Sequence, residues 1–355
     1  VQNGAILVTD PKSGQILAMV GSKDYYQESF GNFNVTTALR QPGSSIKPAT
    51  YAAAFEAGYS PGNTILDAPV NFIQPGSKPY SPLNYDGIFH GPVSIRVALG
   101  SSYNVPAVKM LSTVGIPRMI ATAKSLGITT FDPPTGGPQR FGLSLTLGGG
   151  EVKMIDMMAL YGTFSQMGRF NRPTPILKVT DSNGNVLEEY SNQSIQALQP
   201  EIAYLVTHIL SDNKARTPAF GANSQLFIAD HQVAVKTGTS DNKRDNWTFG
   251  YTPSFVVGVW VGNNDNSPMN PTLTSGVTGA APIWNRIMKQ LLANHPFLGF
   301  VRPAGIVEAQ IDGRQDLTLS RNIPKSLVRF KLSSTLCNIP PVTSTPLLPP
   351  MADFN

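Results

Sequence analysis

Cysteine is almost absent: the 355 residues contain one, Cys337. A lone thiol excludes an internal disulfide and a zinc site built from cysteines. Histidine is scarce too, with only His90, His208, His231 and His295. They form no HExxH and no close pair, so a metallohydrolase fits poorly and neither a metal nor a cofactor is expected. With few histidines and no GxSxG, a Ser-His-Asp enzyme is also disfavoured. Charged residues are 14% of the chain, against roughly a quarter in ordinary globular proteins. Because apolar residues still reach 41%, this excludes both a wholly disordered chain and a long charged coiled coil. The net charge of +5 comes without any Lys/Arg run, which argues against nucleic-acid binding and leaves a mildly basic surface suited to anionic lipid or cell-wall polymer. No stretch approaches the ~20 apolar residues of a membrane helix. The chain begins at Val1 without a signal peptide, and is expected to be part of something longer. Sparse cysteine suits an extracytoplasmic bacterial protein, although many cytosolic proteins share it.

What is present is turn-rich: 32 glycines and 30 prolines imply many turns and several long loops. Gly4–Asp10 and Gln15–Gly21, separated by Pro-Lys-Ser-Gly, predict an opening hairpin. Pro42-Gly43 breaks the chain before an Ala-rich helix over Ser44–Ala57. Ser60–Pro92 has no sustained period and predicts a long ordered loop. Short helices are expected over Val93–Leu99, Val105–Val114 and Pro117–Leu126. Glu151–Met167 places Met154, Ile155, Met158 and Tyr161 on one helical face. The Gly148–Gly150 triplet before it matches no phosphate-binding pattern and predicts a loop. A surface hairpin over 175–190, a helix over Pro200–Leu210, strands over Gln232–Gly238, Asn246–Tyr251 and Phe255–Gly262, and an amphipathic helix over Ala281–Asn294 complete the pattern. After His295 one strand is expected over Gly305–Asp312. Five prolines in Pro340–Asn355 then predict a loosely ordered end.

Three short motifs carry chemistry. Ser44-Ser45-Ile46-Lys47 sets Ser44 and Lys47 at i and i+3, on one face of a helix, whereas Ser45 points elsewhere. Ser44 is therefore the candidate nucleophile, at a helix N-terminus whose free N–H groups favour developing negative charge. Lys47 can serve as its base only if burial beside another cation, Lys236, lowers its pKa. In Ser102-Tyr103-Asn104, between two helical runs, the serine can relay a proton and the Asn amide can hold a substrate amide. Lys236-Thr237-Gly238-Thr239 ends an apolar strand. Gly238 admits a ligand close to the strand backbone, and the Thr hydroxyls with the Lys charge suit a carboxylate. The N–H groups of Ser44 and Thr239 are a candidate oxyanion hole.

Each motif is common alone. Together, in this order and context, SxxK, SxN and KTG are the set of the penicillin-recognising serine enzymes. From about Gly4 to Asn294 the chain resembles the transpeptidase domain of class A penicillin-binding proteins. The resemblance also rests on Arg40–Pro48, Ser102–Val108, Gly150-Glu151-Val152, Gly250–Pro253, Val257–Gly262 and Ala281–Trp284. It implies an α+β fold: a five-stranded antiparallel sheet flanked by helices plus an all-helical subdomain, here expected over residues 1–295, with a C-terminal extension over 296–355 to which no activity is assigned. It implies a serine D,D-transpeptidase in which Ser44 acylates on a D-Ala-D-Ala stem peptide of peptidoglycan and releases D-Ala. An amine from a neighbouring stem then takes the acyl group. Lys47 would be the base, Ser102 and Lys236 the proton relay to the leaving amine, Asn104 the amide holder, and Thr237 and Thr239 the carboxylate site. β-Lactams would acylate Ser44 stably. A membrane anchor and a glycosyltransferase domain are expected in the parent protein, on the outer face of the bacterial cytoplasmic membrane. A D,D-carboxypeptidase and a catalytically silent β-lactam sensor are the alternatives. A class A β-lactamase is disfavoured because the residues after Glu151 do not form an ExxLN-like loop.

Overall fold

The computed structural model describes residues 2–28, 30–73, 79–131, 140–270 and 277–322, with the backbone of 337–338. The Pro-rich end expected over 340–355 lies outside these residues. Five strands make the central antiparallel sheet: β1 (Asn3–Thr9), β2 (Ile16–Val20), β3 (Ala234–Thr239), β4 (Asp245–Tyr251) and β5 (Val256–Gly262), in the order β3-β4-β5-β1-β2. The first and last parts of the fold thus meet where β1 pairs with β5, Ala5 opposite Trp260. β4 and β5 are buried along their whole length. Successive side chains of a strand point to opposite faces, and here each face meets its own core. Val257, Val259 and Val261 face the helix α8 (Ala280–Leu292) through Trp284 and Met288, while Val256 and Trp260 join the main core.

The other helices are α1 (Lys47–Glu56), α2 (Ile95–Gly100), α3 (Asn104–Val114), α4 (Ile116–Ser125), α5 (Met154–Ser165), α6 (Pro200–Ser211) and α7 (Asn213–Phe220). The α+β architecture expected from the motifs is the one observed. Three local expectations change. First, α5 is not one-faced: every residue except Ile155 is buried. It runs through the middle of the molecule, with the sheet on one side and α6 on the other, and a helix covered on all sides carries no polar stripe. Second, the predicted helix over Val93–Leu99 begins as a strand. Gly91–Ser94 pairs with Thr64–Asp67 inside the long loop, and Ser94 then caps α2 by accepting from Val97 N–H at 3.2 Å. Third, the segment after His295 contains two strands, β6 (Ile306–Ile311) and β7 (Arg314–Leu319), paired as a hairpin. Asp312 and Gly313, both at positive φ (49° and 78°), form its turn, the pattern of a type I′ hairpin. Ile306, Leu317 and Leu319 enter the main core, and Ser60 and Thr318 hydroxyls bond at 2.6 Å.

Candidate active site

Ser44 lies on a 3-10 turn, Gly43–Ile46, that runs directly into α1. Lys47 N–H donates to Ser44 C=O, and in a 3-10 turn side chains three apart eclipse one another. The one-face spacing of Ser44 and Lys47 is therefore kept, although the helix expected from Ser44 onward is α-helical only from Lys47. Ser45 is fully buried, and its Oγ donates to Pro42 C=O at 2.7 Å. It closes the turn, while Ser44 stays partly accessible.

The turn is pressed against the end of β3. Gly43 sits at φ +54°, and a Cβ there would lie 2.4 Å from Thr239 O. A Cβ on Gly238 would lie 2.2 Å from Pro42 O, so neither position admits a side chain. This contact brings KTGT beside Ser44. Val152 holds the approach to the turn by exchanging backbone hydrogen bonds with Arg40 at 2.9 and 3.0 Å. Trp247 Nε1 donates to Gln41 C=O at 2.9 Å, and Tyr161 of α5 donates to Ser45 C=O at 2.7 Å.

The Ser102–Asn104 loop closes the other side. Ser102 has φ 62°, an unusual conformation for a residue with a Cβ, which tight surroundings must hold in place. Lys47 is wholly buried, and its Nζ donates to Ser102 C=O at 2.6 Å, Tyr103 C=O at 3.1 Å and Asn104 Oδ1 at 2.8 Å. Ser102 Oγ stands between two lysine side-chain nitrogens, 2.7 Å from Lys236 Nζ and 3.5 Å from Lys47 Nζ. Lys236 also donates to Thr237 C=O at 2.9 Å. Asn104 Nδ2 donates to Leu83 C=O at 2.9 Å, which leaves its second N–H for a ligand. Thr237 is almost buried, and Thr239 is partly accessible, with Oγ1 accepting from Asn246 Nδ2 at 3.1 Å. All eight residues singled out from the three motifs thus gather at one place.

Burial, with Lys236 as the second cause, holds the Lys47 ammonium well below the usual lysine range. Burial, with Arg216 second, lowers Lys236 to about 7. The sequence expectation that Lys236 acts on Lys47 matches this arrangement, but Arg216 was not anticipated. It lies on α7, is 4% exposed, and donates to Leu226 C=O at 3.0 Å and to Leu210 C=O. No carboxylate forms a salt bridge with Lys47, Lys236 or Arg216 among the described residues. Gly148 was also missed. It is the left-handed end of a 3-10 turn over Leu143–Leu147, and a Cβ on it would lie 2.2 Å from Gly43 N. Its triplet is a loop, as expected, but one packed under the turn that carries Ser44. No group of three potential metal ligands occurs among the described residues, and no described helix is long and apolar enough to cross a membrane.

The profile of the family described as penicillin binding protein transpeptidase domain matches residues 4–289. Penicillin-binding protein 1A of Aquifex aeolicus is 33% identical over 319 residues, covering 89% of this chain and 42% of that protein. The structure of penicillin-binding protein 1A from Haemophilus influenzae is similar with a TM-score of 0.80 at 25% identity, covering 92% of this chain and 54% of the other. The structure of the PonA1 protein from Mycobacterium tuberculosis in complex with penicillin V is similar with a TM-score of 0.72 at 25% identity, over 85% of this chain and 81% of that one. The chain spans less than half the length of the curated relatives it matches.

Proposed function

The chain belongs to the penicillin-binding protein transpeptidase family, and from that premise we propose that it is a serine D,D-transpeptidase cross-linking peptidoglycan stem peptides. The observation that carries the reading is the Ser102 hydroxyl, 2.7 Å from Lys236 Nζ and 3.5 Å from Lys47 Nζ, in a loop facing the Ser44 turn. An activated serine needs a neutral amine near it, and buried neighbouring cations supply one. Lys47 takes the Ser44 proton as Oγ attacks the carbonyl between the two terminal D-alanines. The oxyanion that forms points to the N–H groups of Ser44 and Thr239. As the C–N bond breaks, the proton passes through Ser102, with Lys236 holding its oxygen, to the leaving D-Ala amine. The ester on Ser44 is then attacked by an acceptor-stem amine. The amine loses its proton to the same relay, and Ser44 Oγ recovers one.

Asn104 directs its free N–H to the donor-peptide amide. Thr237 and Thr239, with Gly238 allowing close approach, take the terminal carboxylate, whose charge faces Lys236. A β-lactam follows the same first half. Its leaving amine stays tethered after ring opening and blocks the acceptor, so the acyl-enzyme persists. Water in place of the acceptor amine would make the protein a D,D-carboxypeptidase, and a β-lactam sensor would stop at the ester. We assign the transpeptidase domain to residues 1–295 and treat 296–355 as an extension without chemistry. The substrate places the protein outside the cytoplasmic membrane, carried by an anchor and accompanied by a glycosyltransferase domain in its parent.

The test is intact mass after β-lactam treatment and, on untreated protein, incubation with donor and acceptor stem peptides. A lasting one-equivalent adduct on Ser44 and a cross-linked product are expected. Absence of any adduct overturns the reading. Hydrolysed donor without cross-link makes it a carboxypeptidase.

A further inference from the structure

The loop before α2 reaches the candidate site from a side that no catalytic motif marks. Asn84 is 5% exposed, and its Oδ1 accepts from the N–H of Asn104 at 2.8 Å and of Val105 at 3.2 Å. These are the first two N–H groups of α3, which have no partner within the helix. Tyr103, in the capping position, provides no side-chain bond. Asn84 therefore caps α3 from another segment. Its Nδ2 donates to Asp67 Oδ2 and to Ile88 C=O, both at 2.7 Å. The same Asp67 oxygen receives His90 N–H at 3.0 Å and faces His90 Nδ1 at 2.7 Å, while His90 Nε2 lies 3.2 Å from Asp86. The His90 ring stacks on Tyr103, centroids 3.9 Å apart. Next to Asn84, Leu83 C=O takes one N–H of the Asn104 amide.

We propose that Asn84, braced by Asp67 and His90, is a positioning residue of the acyl-transfer site: it holds the first turn of α3 and so sets where the Asn104 side chain stands. The chemistry assigns each contact. The Asn104 amide has its oxygen tied to Lys47 and one N–H tied to Leu83, so its remaining N–H has a single direction. That direction is kept only while the backbone of residue 104 is held, and Asn84 is the side chain that holds it. Loss of this hold misplaces a substrate contact by a fraction of an ångström to an ångström, and a displacement of that order costs up to ~100-fold in rate.

The proposal rests on the acyl-transfer reading, and a double-mutant cycle separates the two. Acylation by a fluorescent penicillin is measured for the wild type, Asn84→Ala, Asn104→Ala and the double variant, with the acylation rate constant resolved from initial binding. Asn84→Ala should slow acylation about tenfold in the wild type and less than about twofold when Asn104 is already alanine, because coupled residues are non-additive. An equal loss in both backgrounds would make Asn84 a purely structural residue, and no loss in either would also overturn the proposal. If Asn84→Ala does not fold, His90→Ala carries the same cycle, with a smaller loss of the same pattern expected. A wild type that takes no label defeats the proposed function itself, and this inference with it.

Discussion

Replacing Lys236 by Met should change the stability of the protein by an amount that depends on pH in a defined sense. Lys236 is 2% exposed, and its ammonium is lowered from 10.5 to about 7, first by burial and then by Arg216. In the unfolded chain it titrates near the ordinary value, ~10.4. Above that pH both states are neutral and the group contributes nothing. Between about 10 and 7 the unfolded chain holds a proton that the folded chain lacks, so stability falls as pH falls. Below 7 both states are charged and the deficit is constant. A separation of about 3.5 units corresponds to roughly 5 kcal/mol at ~1.4 kcal/mol per unit, an upper limit because local relaxation softens buried charges. Met fills nearly the same volume, and its loss of the bonds to Ser102 Oγ and Thr237 C=O is a constant offset of about 1–3 kcal/mol. Urea unfolding of both proteins at pH 9.5, 8.5 and 7.5 reads the difference. The stability of Lys236→Met relative to the wild type should rise by about 1 kcal/mol per unit as pH falls. A flat difference, or one that rises with pH, would refute the claim that this ammonium is held at electrostatic cost.

Other consequences can be checked with β-lactam labelling. Ser44→Ala should abolish the covalent adduct, while Ser45→Ala, which removes one buried bond to Pro42 C=O, should keep the adduct and lose about 1 kcal/mol of stability; mass spectrometry and thermal melting read both. Lys47→Ala should slow acylation by ~10²–10⁴-fold without unfolding the domain. Since the base must be neutral, the wild-type rate should decline on the acid side, and in Lys236→Met that decline should begin at higher pH, because one cause of the lowered Lys47 value is gone. Stopped-flow acylation against pH would detect the opposite shift. Tyr161→Phe, which withdraws the donor to Ser45 C=O, should lower stability by about 1–2 kcal/mol and slow acylation modestly; unchanged values would remove α5 as a support of the nucleophile turn.

Much of the site is legible in the sequence because its parts are local. Ser44 and Lys47 are set by spacing on one turn, and Lys236–Thr239 by its place at the end of an apolar strand. Their convergence is not local, and it was inferred from the co-occurrence of three motifs. Arg216, Asn84 and Gly148 leave no such trace. Arg216 matters because α7 packs behind the 101–104 loop, where Ser101 Oγ donates to Ala215 C=O at 2.8 Å. Asn84 matters because a long loop folds back onto α3, and Gly148 because one turn sits under another. The misjudged α5 has the same origin: a period shows which residues prefer burial, whereas burial on every side depends on what else packs there. The second strand of the tail hairpin is different, since Asp312-Gly313 is a turn signal in plain view. It was masked by the polar run Arg314–Asp316, most of which faces solvent.

The electrostatics of the site fit its proposed chemistry in one further respect. Lys47 and Lys236 are buried without a carboxylate in salt-bridge range among the described residues, and Arg216 has only the charge of Asp212 near it, which is unfavourable for whichever of them is charged. A carboxylate bound at Thr237–Thr239, as proposed, would supply the missing charge. Its arrival favours the protonated form of Lys236, because an opposite charge nearby stabilises an ammonium. A charged Lys236 in turn keeps Lys47 neutral, because like charges oppose each other across Ser102 Oγ. Substrate binding and base activation are thus coupled through one hydroxyl. Under the proposed function, the terminal carboxylate of the donor peptide would help to set the protonation state in which Ser44 attacks.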